Sequence, residues 1–536
     1  MRRLWLALLG SVLVALLAVP LAGGHPRRVE YPRRGHPARH HEHHRHRGHP
    51  VHGFPPRHRR AVPPTGPTLP LGHSGRWITD AAGRVVIVHG FNMVYKLAPY
   101  YPAAAGFDSA DAAFLKANGF NAVRVGVIWK GLEPQPGVFD TAYLSQISDT
   151  VDMLARDGIV SLLDFHQDQL NEQFAGEGFP DWAIQTGGLP NTHTAFSAGY
   201  LLNPALQHAL DQFWSNAPGP DGIGLQSWFA GAWQAAAARF AANPAVLGYE
   251  LFNEPFPGTL WQQCLLVTGC PLFDAQLESF YRLVDRAIRS VDPRTLVFYE
   301  PNVLFNNGVN TTLPALGDPQ AGFAFHDYCL TAPSSGTSSF CTTSNNLVFS
   351  HALAHVARTG EALLETEFGA TNNVTLLKDA VARADRNMVP WMEWAFCGCH
   401  DPTTVGPGDV EAVVRNPSLP PRGTNVIWST LRALTEPYPQ VIAGIPLSFG
   451  FDRATGEFDL RYSTARAGGG SLPAGAVTDI AVPALDYPHG YSVIADGARI
   501  LSKRGAPVLQ LVACPSARAI TVAVTRSGIT QAGCRR

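Results

Sequence analysis

Two glutamates stand where a chain seldom places a charge. Glu254 ends the apolar run "AVLGYELFNE" just before Pro255, and Glu367 lies within "EALLETEFGA" (361–370). A carboxylate at the end of a buried strand costs free energy unless something pairs it or uses it. Two carboxyls facing each other across a pocket are the least apparatus that hydrolyses a glycosidic bond. One gives a proton to the leaving oxygen; the other attacks, or orients water. The acid needs a raised pKa and its partner needs to stay ionised. A separation of ~5 Å would give retention through a covalent glycosyl intermediate. Asn253 is placed to hydrogen-bond a sugar 2-hydroxyl, and Pro255 fixes the backbone just after the acid.

Such groups need a scaffold that gathers strand ends. Eight short apolar runs supply one: "GRVVIVHGFN" (83–92), "NAVRVGVIW" (121–129), "GIVSLLDFHQD" (158–168), "AVLGYELFNEP" (245–255), "TLVFYEPN" (295–302), "AGFAFHDY" (321–328), "EALLETEFGA" (361–370) and "NMVPWMEWAF" (387–396). Helix-like stretches separate most of them, which predicts an α/β fold, a (β/α)8 TIM barrel, over residues 74–436. The runs end in Asn92, Arg124, His166 and Asp168, Asn253 and Glu254, Glu300, His326 and Tyr328, Glu367, and Trp394. Barrel active sites lie at the C-terminal strand ends, and the fourth and seventh strands face each other across the mouth. Two-residue alternation puts Glu365 on the face of Glu367 but deeper, where it would need a partner such as Arg124. Glu300 reads as a helix cap or, second to that, a substrate contact, and Glu393 as either a paired charge outside the barrel or a site residue. From residue 437 to 536 apolar and polar residues alternate between Gly, Asp and Pro turns, predicting a C-terminal antiparallel β-sandwich domain.

The first 24 residues pair Arg2 and Arg3 with a leucine-rich run and then small residues, as in a cleaved signal peptide. A secreted or cell-envelope protein is expected. Residues 25–73 form a His-, Arg- and Pro-rich leader and linker that cannot build a core. Ten arginines and two glutamates fall between His25 and Arg60; with Arg2 and Arg3 they leave −11 on residues 61–536, given −1 overall. That acidic body argues against nucleic-acid binding. Metal capture or adhesion by the leader stays open beside a merely solvated role. The eight cysteines fall in four close pairs: 264 and 270, 329 and 341, 397 and 399, 514 and 534. Local disulfides suit an exported chain, and zinc-type spacing is absent. No metal or other cofactor is expected, since two carboxylates do the proton and covalent work themselves.

"LFNEP" and "TEFG" on the fourth and seventh runs resemble glycoside hydrolase family 5. "VHGFNMVYK", "VRVGVIWKGLEPQPGVFD", "LLDFHQDQ", "GEGFPDWA", "FHDYC" and "LLETEFGATNN" are similar to its endoglycoceramidase branch, from about residue 75 to 460. The resemblance implies Glu254 as acid/base and Glu367 as nucleophile, with Asn253 orienting the sugar and Arg124 supporting Glu367. It further implies His166, Asp168 and Lys96 on sugar hydroxyls, Trp214 as another sugar contact, His326 and Tyr328 on the nucleophile's side, and Trp394 under the sugar. The implied substrate is a glycolipid or oligosaccharide. The apolar surface for a lipid tail is expected from the loops after the third and sixth strands, or from "GTLWQQCLLVTGCPLF" (258–273). A β-glucanase or a steryl-glucosidase-like enzyme shares the same machinery, and an inert envelope-binding barrel is the rival outside enzymes. Oligomeric state is silent, and peripheral contact with a membrane stays open.

Overall fold

The computed structural model describes residues 64–192, 196–265, 269–329, 338–404 and 410–534. The expected signal peptide and nearly all of the expected leader lie outside them. Strands β1 (His89–Met93), β2 (Ala122–Val127), β3 (Val160–Phe165), β4 (Val246–Glu250), β5 (Leu296–Tyr299), β6 (Ala321–Asp327), β7 (Ala362–Phe368) and β8 (Trp391–Glu393) form a closed parallel barrel. Their residues are buried throughout, as parallel strands are when helices cover the outer face. The helix Pro271–Arg289 shows how that cover is built. Proline occupies its first turn, where no N–H is needed, and Phe273, Leu277, Phe280, Tyr281, Val284 and Ile288 recur at helical spacing as its buried stripe.

One irregularity decides what faces the interior. Opposite β6, Glu365 pairs with Phe325 but Glu367 pairs with His326, so Thr366 is a bulged extra residue. Simple alternation therefore fails on β7. Thr366 Oγ1 donates inward to Glu250 Oε1 at 2.7 Å, and Glu367 faces inward too. Glu365 instead lies near Asp327 and Arg383 of the outer helix Val374–Asn387. Burial, then Asp327, raises its pKa well above the carboxylate range, and neither oxygen has a hydrogen-bond partner. The deep partner of Arg124 is Glu250, not Glu365.

The C-terminal domain is a sandwich of two sheets. One contains Tyr438–Ile442, Val477–Ala481, Val508–Ala513 and Ala498–Ile500; the other contains Ile445–Asp452, Glu457–Ser463, Ala519–Thr525, Ser492–Asp496 and Gln531–Gly533. Strand Glu457–Ser463 alternates exposed and buried residues, and Phe458, Leu460 and Tyr462 face the core. Two features depart from expectation. The strands Gly72–Ser74, Trp77–Thr79 and Val85–Val86 join the first sheet, with Val86 opposite Val441, so the residues after Ser74 enter this domain before the barrel. The last strand runs parallel to Ser492–Asp496. Disulfides join all four close cysteine pairs. Among the described residues no helix is long and apolar enough to cross a membrane.

Candidate active site

Arg124, fully buried on β2, organises the strand ends. Its Nε donates to Glu250 and its Nη1 to Glu367 and to Asn92 Oδ1 (3.0 Å). Its Nη2 donates to Asn253 Oδ1 (2.9 Å) and lies 3.1 Å from Asp164 Oδ1. A planar guanidinium with several fixed donors can hold carboxylates from different strands at once. Glu367 receives a further hydrogen bond from Tyr328 Oη at 2.7 Å. Both of its oxygens are thereby committed to donors.

Glu254 follows β4 with a backbone φ of +44°, a left-handed conformation unfavourable for a glutamate. Its N–H donates to Glu300 Oε2 at 3.2 Å, and Pro255 follows. Oε1 accepts from Asn306 Nδ2 at 2.7 Å and lies 2.8 Å from His326 Nδ1. Burial, reinforced by Asp168, pushes the Glu254 carboxyl up to about 7. Oxygens of Glu254 and Glu367 lie within 4.8 Å of each other, with a His326 nitrogen equally close. One carboxyl kept near neutral and another held by Arg124 and Tyr328 is the division that acid and nucleophile require.

A second charge cluster lines the same cavity. Lys96 Nζ contacts Asp168 Oδ2 (2.7 Å) and Asp401 Oδ2 (3.0 Å), and stands 4.4 Å from the Trp394 ring centre. His166 stacks on Trp394, with ring centres 5.3 Å apart, and its Nδ1 is 2.7 Å from Asp164 Oδ2. Burial alone would lower the His166 pKa, but Asp164 and Asp168 raise it to about 10. The cavity holds about 150 Å³ of room for water-sized molecules and opens to solvent at its mouth. Lys96, His166, Asp168, Asn253, Glu254, Tyr328, Glu367 and Trp394 line one part; Phe196, Tyr200, Leu201, Phe256, Val303 and Leu304 form an apolar wall.

Some residues expected here lie elsewhere or act differently. Trp214 donates its indole N–H to the Phe256 carbonyl at 2.7 Å and packs on Phe252 and Phe273, outside the cavity lining. His326 hydrogen-bonds Glu254 and is 3.4 Å from Glu367, so it serves the Glu254 side more than the Glu367 side on which it was expected. Glu300 caps no helix; Asn302 caps the next short one, and Glu300 sits among Arg124, Glu254 and His326. Glu393 is buried without hydrogen bonds at its carboxyl, against Gly369, and neither pairs with a cation nor lines the cavity. The apolar wall comes in part from the connection after β3, as expected, through Phe196 and helix Ala198–Leu202, and in part from Phe256 after β4 and the turn after β5. Trp261 and Phe273 of the 258–273 loop pack onto the barrel instead, while Leu266 and most of the loop after β6 lie outside the described residues.

Glu250, Asp164, Asn306, Asp401 and Thr403, whose Oγ1 lies 2.6 Å from Lys96 Nζ and 2.8 Å from Asp168 Oδ2, were not anticipated. Stepping back two residues from His166 and four from Glu254 reaches Asp164 and Glu250 on the same inward faces. Asn306, Asp401 and Thr403 come from connecting segments, where no periodicity marks them.

Comparison with known proteins matches this architecture. Residues 79–399 fit the cellulase domain of glycosyl hydrolase family 5, and residues 437–524 fit the family 5 C-terminal domain. The chain belongs to glycosyl hydrolase family 5. Within that family it is 34% identical to endoglycoceramidase I of Rhodococcus hoagii, across 87% of this chain and 90% of that one. It is 27% identical to an endoglycoceramidase of Cyanea nozakii, over 72% and 79%. A structure of endo-glycoceramidase II from Rhodococcus sp. in a ganglioside GM3 complex superposes with a TM-score of 0.69 at 26% identity, covering 84% of this chain and 99% of the other. The chain is thus an endoglycoceramidase-like glycoside hydrolase.

Proposed function

We propose that this family 5 enzyme is a secreted, retaining hydrolase that cuts the bond between glycan and lipid in glycosphingolipid-like substrates. The observation that carries the reading is the two-part cavity, with charged sugar-binding groups around Glu254 and Glu367 and an apolar wall beside them. A glucan has no apolar end to occupy that wall. The structure of Rhodococcus endo-glycoceramidase II in a ganglioside GM3 complex supports the same substrate class. Export agrees with the N-terminal leucine-rich run and with four disulfides. Leu202, next to Leu201 of the wall and 49% exposed, supports peripheral contact with a lipid surface.

The chemistry follows from the two carboxyls. A Glu367 oxygen attacks the anomeric carbon while the protonated Glu254 gives its proton to the departing ceramide oxygen, leaving a glycosyl ester on Glu367. Glu254, now a carboxylate, takes a proton from water as that water attacks the anomeric carbon and frees Glu367. Two inversions retain the β configuration. Oxygens within 4.8 Å support direct attack, because an inverting enzyme needs room for water between its carboxyls.

Glu254 is active in its protonated form, so kcat/KM on lactosylceramide stays high below its pKa and falls as pH rises through about 7. Asp168→Asn removes a charge that raises Glu254 and leaves Lys96 and His166 less neutralised. Both effects move that basic limb to lower pH, which a pH–rate profile reads directly; an unmoved limb would assign it to another group.

The substrate reading is tested at the wall. Leu201→Asp with Leu304→Asp raises KM for lactosylceramide by about 10- to 100-fold, the equivalent of losing one or two buried leucines. The loss on 2,4-dinitrophenyl β-lactoside is much smaller. Equal losses on both substrates would place the wall outside the lipid's path.

A further inference from the structure

Glu300 is a buried carboxyl that these two steps leave without a task. It follows β5, is 1% exposed, and meets charged or titratable groups from several strands. Arg124 Nη2 approaches its Oε1 at 3.5 Å, His326 Nε2 approaches its Oε2 at 3.5 Å, and the Glu254 N–H donates to that same Oε2. Glu250 and Glu367 are further charges around it.

His326 joins Glu300 to Glu254. Its ring is fully buried, and burial holds its pKa down to about 4, so near pH 7 it carries one N–H. The position of that hydrogen decides what Glu254 can do. With hydrogen on Nδ1, the ring donates to Glu254 Oε1, which also accepts from Asn306 Nδ2. Oε1 is then fully occupied as an acceptor, and the carboxyl proton belongs on Oε2, free to be given away. With hydrogen on Nε2, the Nδ1 lone pair faces Glu254 Oε1 and draws the proton onto that oxygen, away from a leaving group. The first tautomer leaves a buried Nε2 lone pair whose nearby polar atom is Glu300 Oε2. Only a protonated Glu300 supplies a donor there.

We propose that Glu300 is held as a neutral acid whose O–H fixes the tautomer of His326, so that Glu254 presents its transferable proton on Oε2. Glu300 is therefore a positioning residue acting through the imidazole. Burial, then the charge of Glu250, favours its protonated form despite Arg124. The inference rests on Glu254 being the acid.

Leaving-group dependence separates this role from a structural one, because 2,4-dinitrophenolate departs without a proton and phenol does not. Glu300→Met removes the donor at similar length. It lowers kcat/KM on phenyl β-lactoside at least 30-fold more than on 2,4-dinitrophenyl β-lactoside. Glu300→Gln restores a neutral N–H donor and recovers the phenyl substrate to within about fivefold of the parent. Equal losses on the two substrates in Glu300→Met, or a Glu300→Gln no better than Glu300→Met, overturn the proposal. Glu254→Ala is measured alongside. If it shows no leaving-group dependence, the acid assignment fails and this inference with it; dependence in Glu254→Ala but not in Glu300→Met overturns this inference alone.

Discussion

Replacing Glu367 by Gln lowers kcat by on the order of 10⁴ or more on lactosylceramide and on 2,4-dinitrophenyl β-lactoside alike. The amide keeps the shape of the side chain and can still meet Tyr328 and Arg124, but it cannot attack the anomeric carbon. Both substrates lose equally because both need the nucleophile. Glu254→Gln behaves differently. It costs about 10² to 10⁴ in kcat/KM on lactosylceramide, whose alkoxide leaves poorly without a proton, and far less in kcat/KM on the dinitrophenyl glycoside, whose kcat still falls because Glu254 also takes the proton of the water that frees Glu367. Steady-state kinetics on the two substrates therefore distinguish the two glutamates by pattern as well as by size. A Glu367→Gln that spares the activated substrate would exchange the roles.

Arg124→Met is expected to destabilise the fold more than any change at the cavity surface. The guanidinium is fully buried and touches Glu250, Glu367, Asp164 and Asn253. Asp164 keeps His166, but removing the guanidinium strands Glu250 and Glu367 without a cation beside them, and breaking a buried ion pair in this way costs about 3–5 kcal/mol. The pH dependence has a definite sign. Without the arginine the buried carboxyls have raised pKa values in the folded state, so their contribution is best at low pH and deteriorates as pH rises. The deficit against the parent grows between about pH 5 and pH 8, read by urea denaturation at each pH. A constant deficit would mean that Arg124 acts mainly through packing.

The barrel was legible because its strands are short, apolar and separated by helical stretches, and because each ends in polar residues of the kind a site needs. The core of the site was legible for the same reason: Arg124, His166, Asp168, Asn253, Glu254, Tyr328, Glu367 and Trp394 all meet at one end of the barrel. The bulge at Thr366 was not. Nothing in "LLETEFG" says that one residue is inserted, and that insertion sends Glu365 outward. Trp214 misled because an aromatic near a site suits the core as well as a sugar, and local pattern does not separate the two. The apolar wall was legible in part: Phe196, Tyr200 and Leu201 follow β3, where a lipid-facing loop was expected, but Phe256, Val303 and Leu304 follow β4 and β5, and composition marks a loop as apolar without saying whether it packs onto the barrel or over the cavity. Three strands preceding the barrel join the C-terminal domain through Val85–Val86, which pairs with Val441 and Ile442 some 350 residues further along the chain, a separation that no local periodicity reports.

The most direct test follows the first sugar released. The parent protein is incubated with lactosylceramide in detergent, and the product is followed by ¹H NMR before mutarotation. The account predicts intact lactose appearing first as the β anomer, together with free ceramide. α-Lactose as the first product would contradict the retaining pair of Glu254 and Glu367, and galactose in place of lactose would contradict cleavage at the lipid.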